Sequence, residues 1–248
     1  MTDSKIVLIT GANSGIGYAT TKLISSQPNY HVIMACRSEE KGLKAMEEIQ
    51  GSGIKGTLSV LQLDVTSDQS IAAAVETVEK EFGRVDVFVS NAGITAYAET
   101  GSKKMSTIFA TNVTGAVTSS EAFVSLLLKS ARPYLIQISS GLGSFGLATD
   151  PEDQFYNSPS HVYRMSKAAL NMATVQQHKR FHSQNIRVYA YCPGFVRSNL
   201  RGESEQARSG GGFAGDPMDS ARGILDICEG KRDADVGRFI HANGTYPW

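Results

Sequence analysis

Short apolar, β-branched runs alternate with helical patterns along the whole chain, and this alternation limits the fold more than any other feature. Strands are expected at residues 5–10, 31–36, 57–63, 85–90, 134–139, 186–191 and near 237–241. Helices are expected at residues 15–26, 39–50, 67–82, 102 to about 129, 161–183 and near 219–229. In the segment 67–82, Ile71, Val75, Val78 and Phe82 recur at i, i+4, i+7 and i+11, the spacing of one buried helix face. Strands this uniformly apolar have no solvent-facing side, and a helix after each one implies a parallel sheet covered on both faces. No repeat or composition break divides the 248 residues, so one α/β domain over 1–248 is expected. Residues 141–160 and 198–217 are irregular, and the second stretch, rich in Gly, Ser and charge, is expected to act as a substrate lid.

The first strand runs into Thr10-Gly11-Ala12-Asn13-Ser14-Gly15-Ile16-Gly17 and then into a helix. Glycines there allow a tight turn and let backbone N–H groups at a helix N-terminus reach a pyrophosphate. The spacing G-x-x-x-G-x-G differs from the commonest dinucleotide fingerprint, and it lacks the Lys-Ser/Thr of a P-loop. Alone the cluster is a weak signal, since a plain turn also uses glycine; its place between strand and helix favours a nucleotide. The second strand ends Ala35-Cys36-Arg37-Ser38, with no carboxylate to hold a ribose 2′-hydroxyl. A guanidinium at Arg37 suits a 2′-phosphate, so NADPH/NADP+ is favoured; a surface arginine paired with Glu39 or Glu40 is the alternative.

Tyr163-Arg164-Met165-Ser166-Lys167 places a phenol and an ammonium one helical turn apart on the same face. A free phenol, with a pKa of ~10, is a sluggish acid–base group at neutral pH, and a neighbouring ammonium lowers that value. Tyr and Lys at this spacing occur by chance in many helices. The full set is far more specific: Thr10–Gly17, Asp64-Val65, Asn91-Ala92-Gly93, Asn112, Ser139-Ser140, Tyr163/Lys167 and Pro193-Gly194, in that order. With these motifs the chain resembles the short-chain dehydrogenase/reductase family over essentially its whole length.

The resemblance implies a Rossmann-type doubly wound parallel sheet of about seven strands and four catalytic residues: Asn112, Ser140, Tyr163 and Lys167. Tyr163 would protonate the carbonyl oxygen in reduction, and Lys167 would lower its pKa and hold the nicotinamide ribose. Ser140 would hold the substrate oxygen, and Asn112 would position a water linking Lys167 to solvent. The cofactor would lie along Gly11, Asn13, Ser14, Gly15, Ile16 and Gly17, with Arg37 at its 2′-phosphate. Asp64 and Val65 would meet the adenine, and Asn91, Ala92 and Gly93 would line the cofactor. Pro193, Gly194, Val196 and Ser198 match a stretch that grips the nicotinamide amide, with Ser198 standing where the family usually has Thr. The ending Gly244-Thr245-Tyr246-Pro247-Trp248 is similar to that of fungal members serving secondary metabolism. Members commonly form homodimers or homotetramers through the helix carrying Tyr163 and the one carrying Asn112.

The function this favours is NADPH-dependent reduction of a ketone or aldehyde. An alcohol dehydrogenase working in the oxidative direction and a non-catalytic NADPH-binding sensor or scaffold are the alternatives; the acid–base pair argues against the last. A balance of 24 Lys+Arg against 24 Asp+Glu discourages nucleic acid and anionic membrane as partners. Cys36, Cys192 and Cys228 are too few and too scattered for a disulfide framework or a metal site. With neither a secretory signal nor a membrane-spanning run, a cytoplasmic protein is expected. The spacing of Ser140 and Tyr163 exceeds the family's usual one. Phe145, Leu147, Phe155 and Tyr156 in the extra length either wall an apolar substrate pocket or pack on their own domain. Met105 and Ile94-Thr95-Ala96-Tyr97 are further candidates for facing the site. His161 is more readily a surface residue than a substrate contact, and solvation or a subunit contact suffices for His178 and His182. Trp248 either docks at a subunit interface or lies free.

Overall fold

The computed structural model describes residues 4–96, 99–153 and 156–248. Its strands form one sheet in the order β3-β2-β1-β4-β5-β6-β7-β8. In chain order these are β1 (Lys5–Thr10), β2 (Tyr30–Cys36), β3 (Thr57–Gln62), β4 (Val87–Ser90), β5 (Tyr134–Ile138), β6 (Arg187–Cys192), β7 (Phe239–His241) and β8 (Gly244–Thr245). All neighbours are parallel except β7 and β8. The expected seven strands are therefore present, and β8 is an added two-residue hairpin partner too short to leave a periodic signal.

Helices cover both faces. On one, α1 (Gly15–Ser25), α2 (Glu39–Gln50) and α10 (Pro217–Cys228) bury Ile24, Ile49, Ile224 and Ile227 against the sheet. On the other, α3 (Asp68–Phe82) contributes Ile71, Ala74 and Val78, and α8 (His161–Phe181) contributes Phe181. Their ends follow side-chain chemistry: Ser38, Ser67 and Asp216 cap α2, α3 and α10, and Gly83 closes α3 in the left-handed conformation at φ 72°.

The long helix expected from residue 102 is broken. It runs as α4 (Gly101–Phe109), a π-helical turn (Ala110–Gly115), α5 (Ala116–Ala122) and α6 (Val124–Leu127). At Gly115 a Cβ would stand 2.6 Å from the Val65 carbonyl oxygen, so this turn rests on the loop after β3. Strand order reverses between β1 and β4, which splits the loops at their carboxyl ends and opens a crevice there. Short helices α7 (Phe145–Ala148) and α9 (Glu205–Arg208) lie in the two irregular stretches.

Candidate active site

A cleft of about 740 Å³ occupies this crevice. Gly11, Asn13, Ser14, Gly15 and Ile16 line it from the end of β1. Ser14, the N-cap of α1, makes no side-chain cap, so the first amides of that helix are left for a ligand. Gly11 and Gly15 have φ values of 65° and 54°, which glycine adopts most readily. Gly17 does not line the cleft. It is buried, and a Cβ there would sit 2.4 Å from the Gly11 carbonyl oxygen, so its part is to let α1 press against the loop. This bare backbone cradle at a helix N-terminus fits the pyrophosphate of a dinucleotide.

The cradle is braced from β4. Thr10 Oγ1 accepts from the backbone N–H groups of Asn91 and Ala92, each at 2.9 Å. Asn91 Nδ2 donates back to the Thr10 and Gly11 carbonyls at 2.8 and 3.3 Å. Thr10 is a positioning residue that sequence reasoning passed over, although it opens the glycine motif.

Toward β2 and β3 the cleft is lined by Arg37, Asp64 and Val65. Arg37 is exposed, and among the described residues it makes no ion pair with Glu39 or Glu40. Burial works to raise the Asp64 carboxyl. Two hydrogen bonds from Thr66 and the charge of Arg37 outweigh it and hold the group below the usual carboxylate range.

The far end of the cleft holds Ser139, Ser140, Tyr163 and Lys167. Lys167 is buried; its Nζ donates to the Ile138 carbonyl at 2.8 Å and lies 5.7 Å from the Tyr163 ring centre. Burial drags its pKa down to about 8, against a smaller opposing influence from Cys192. The two serines divide their work. Ser139 is buried and its hydroxyl donates to Asn171 Oδ1 at 2.5 Å. Ser140 Oγ accepts from the Leu142 N–H at 3.3 Å, which leaves its own proton to give.

Asn112 stands behind the cleft, not in it. Fully buried in the π turn, it accepts from the Ile94 N–H at 2.8 Å and donates to the Ile94 carbonyl and Ser166 Oγ at 2.9 and 3.1 Å. It thereby ties the loop after β4 to α8. A π turn commonly marks a functional position in a helix.

Pro193, Gly194, Val196 and Ser198 line the cleft as expected. The stretch 198–217 is folded across this side: Arg201 donates to the Val196, Ala207 and Arg208 carbonyls at 2.8–3.0 Å. Thr95 Oγ1 donates to the Leu200 carbonyl at 2.7 Å and links the two walls. The cleft is also lined by Ile94, Thr95, Ala96, Glu99, Thr107 and Thr111. The last three were missed; Thr107 and Thr111 stand one turn apart just before Asn112, the signal that was available.

Of the two alternatives for the apolar and aromatic residues of 145–160, the described ones do not wall the cleft. Phe145 is 67% exposed, and neither it nor Leu147, Tyr156, Met105 or His161 lines the cleft. Tyr97 and Phe155 lie outside the described residues. His178 and His182 pack on each other, ring centres 5.1 Å apart, with His178 pressed under Gly237. Trp248 neither lies free nor needs a second subunit: it stacks on Phe239 at 5.7 Å. The three cysteines are buried and unbridged, and no metal-binding cluster occurs among the described residues. No helix among them is long and apolar enough to cross a membrane.

Comparison with known proteins agrees with this geometry. Residues 5–209 match the family model for short chain dehydrogenase. The chain is 34% identical over 272 residues to the short-chain dehydrogenase/reductase tropE of Talaromyces stipitatus, covering 98% of this chain and 97% of the relative. It is 30% identical over 252 residues to the 3-oxoacyl-[acyl-carrier-protein] reductase FabG of Thermotoga maritima, covering 98% and 97%. The NADPH-bound carbonyl reductase from chicken fatty liver superimposes with a TM-score of 0.82 at 26% identity, with 99% of each chain covered. The chain belongs to the short-chain dehydrogenase/reductase family, a family of oxidoreductases that use a nicotinamide cofactor.

Proposed function

We propose that this protein reduces a ketone or aldehyde to an alcohol with NADPH, Tyr163 acting as the general acid. The observation that carries the reading is the grouping of Tyr163, Lys167 and Ser140 at one end of a cleft whose other end presents Arg37. The NADPH-bound reductase of the same fold supports it, as does the 3-oxoacyl reductase relative.

NADPH, when bound, supplies the hydride that goes to the carbonyl carbon. The residues of this chain handle the oxygen. Ser140 donates a hydrogen bond to it, aligning the carbonyl before reaction. Tyr163 gives it a proton as negative charge develops there. The Lys167 ammonium favours the phenolate left behind, because opposite charge lowers a phenol's pKa. Asn112 holds α8 and the loop after β4 in fixed relation. Gly93 borders the space beside Asn112 Oδ1 and Lys167 Nζ, where a Cβ would make ordinary contact with them at 3.4 and 3.8 Å. A water in that space would connect the lysine to solvent.

Arg37 selects NADPH by holding the 2′-phosphate through charge-assisted hydrogen bonds. The enzyme is a homodimer or homotetramer. Exposed Met165 and Met172, two turns apart on α8, with Met105 and Leu128, supply apolar surface for the pairing. Light scattering that gave a monomer's mass would overturn that assignment. The function itself is tested by following NADPH absorbance with aliphatic, aromatic and 3-oxoacyl ketones, and NADP+ with the matching alcohols. Tight NADPH binding without turnover of any carbonyl would favour a sensor instead.

A further inference from the structure

We propose that the segment Tyr246-Pro247-Trp248 is a positioning strap that fixes the turn carrying Ser140, an inference resting on the role assigned to Ser140 above. The segment follows β8 and lies on the turn and short helix after β5. Ser144 Oγ donates to the Pro247 carbonyl at 2.6 Å, and the Gly146 N–H donates to the Trp248 carbonyl at 3.0 Å. Packing leaves no slack between them. A Cβ on Gly146 would stand 2.6 Å from the Pro247 ring, and one on Gly141 would stand 3.4 Å from the Tyr246 ring. The strap is itself anchored to the sheet: Phe239 of β7 meets Trp248 and Tyr246 at 5.7 and 5.5 Å, and His241 stacks on Tyr246 at 4.3 Å.

The helix that carries Tyr163 and Lys167 holds the same turn from another direction. A Cβ on Gly143 would come within 2.6 Å of the Lys167 carbonyl carbon. Asn171 Nδ2 donates to the Gly143 carbonyl at 3.2 Å, and Arg164 Nε donates to the Leu142 carbonyl at 3.2 Å. The Gly141 N–H donates to Cys192 Sγ at 3.1 Å. Ser140 is therefore the first residue of a wedge gripped by α8 and by the strap. With the strap displaced, the turn loses one of its supports and the Ser140 hydroxyl loses its fixed direction. Tyr163 and Lys167 remain on α8. No residue of the strap lines the cofactor cleft, so cofactor binding is left alone.

Trp248 is the only tryptophan in the chain, so its emission reports directly whether the strap is docked. Ser144→Ala deletes the donor to Pro247, Trp248→Ala deletes the stacked ring, and Trp248→Phe keeps a ring. Trp248→Ala should lower kcat for NADPH-dependent reduction of ethyl acetoacetate roughly 10- to 100-fold, the scale of a small misplacement of a reacting group. Its NADPH Kd should stay unchanged, Trp248→Phe should recover most of the rate, and Ser144→Ala should red-shift the Trp248 emission. Amide exchange should quicken in residues 140–148 and stay unchanged in residues 10–17. In a Ser140→Ala background, Trp248→Ala should cost nothing more, since a positioning residue has no effect once its target is gone.

Unchanged exchange in residues 140–148 of the folded Trp248→Ala protein overturns the strap whatever the substrate. So does a full kcat in that variant when Ser140→Ala is impaired, or an equal further loss in the Ser140→Ala background. Full turnover by Ser140→Ala itself instead removes the role given to Ser140. The two failures are thus separable.

Discussion

The Lys167 ammonium lies 5.7 Å from the centre of the Tyr163 ring while donating to the Ile138 carbonyl at the end of β5. The sheet, and not only the shared helix, therefore aims the charge at the phenol. Keeping a buried cation there has a cost, visible in a pKa drawn down to about 8.

That cost has a pH signature. The folded pKa of Lys167 lies below the ~10.4 of an unfolded lysine, so between the two values the unfolded chain holds a proton that the folded chain has released. Stability owed to this group accordingly rises with pH across that window. Lys167→Met should abolish turnover yet be the more stable protein at pH 7, less the lost bond to Ile138. Thermal unfolding of both proteins from pH 7 to 10 should show the variant's advantage shrinking as pH passes 8. An advantage that grows with pH would contradict the burial argument.

Tyr163→Phe removes the proposed proton donor and little else. We expect kcat to fall by roughly 10²–10⁴-fold, the usual range for a positioned acid. NADPH affinity, measured by fluorescence titration, should stay within about twofold of the original, because the ring still fills its place. Retained turnover would transfer the acid role elsewhere.

Arg37→Asp exchanges the proposed phosphate-binding cation for a group suited to a ribose hydroxyl. Loss of charge-assisted bonds worth about 1.5–3 kcal/mol corresponds to a loss of roughly 10- to 100-fold in kcat/KM with NADPH. Activity with NADH should hold or rise. An unchanged ratio of the two would remove Arg37 from the 2′-phosphate site.

Gly17→Ala tests the cradle from beneath. The added methyl would fall 2.4 Å from the Gly11 carbonyl oxygen and 2.6 Å from Asn91 Nδ2, and both belong to the brace of the loop. Separation of α1 from the loop should weaken NADPH and NADH binding alike, by at least about tenfold, as backbone shifts of overpacked sites cost roughly 1–3 kcal/mol. Isothermal titration that found both affinities intact would show that the loop accommodates a methyl there.

What could be read from residues alone was whatever is local. The glycine loop declares itself within eight positions, and Tyr163 and Lys167 share a face by helical geometry. The π turn escaped detection because hydrophobic periodicity averages over a turn; one widened turn at Asn112 shifts the pattern too little to register. For the aromatic residues of 145–160 the sequence left two alternatives open for a different reason. Where Phe145 points depends on how residues 144–146 meet Pro247 and Trp248, a hundred positions away, and spacing carries no trace of that contact. The stretch 198–217 was expected to be irregular because glycine and charge give no period. Part of its order comes from one guanidinium, Arg201, serving three carbonyls.

The bond from Thr95 Oγ1 to the Leu200 carbonyl joins opposite banks of the cleft. A single neutral hydrogen bond contributes about 1 kcal/mol net, which favours the joined state only about fivefold. The hydroxyl thus adds a tether that can be made and broken at small cost, without touching the backbone bonds that hold each bank in place.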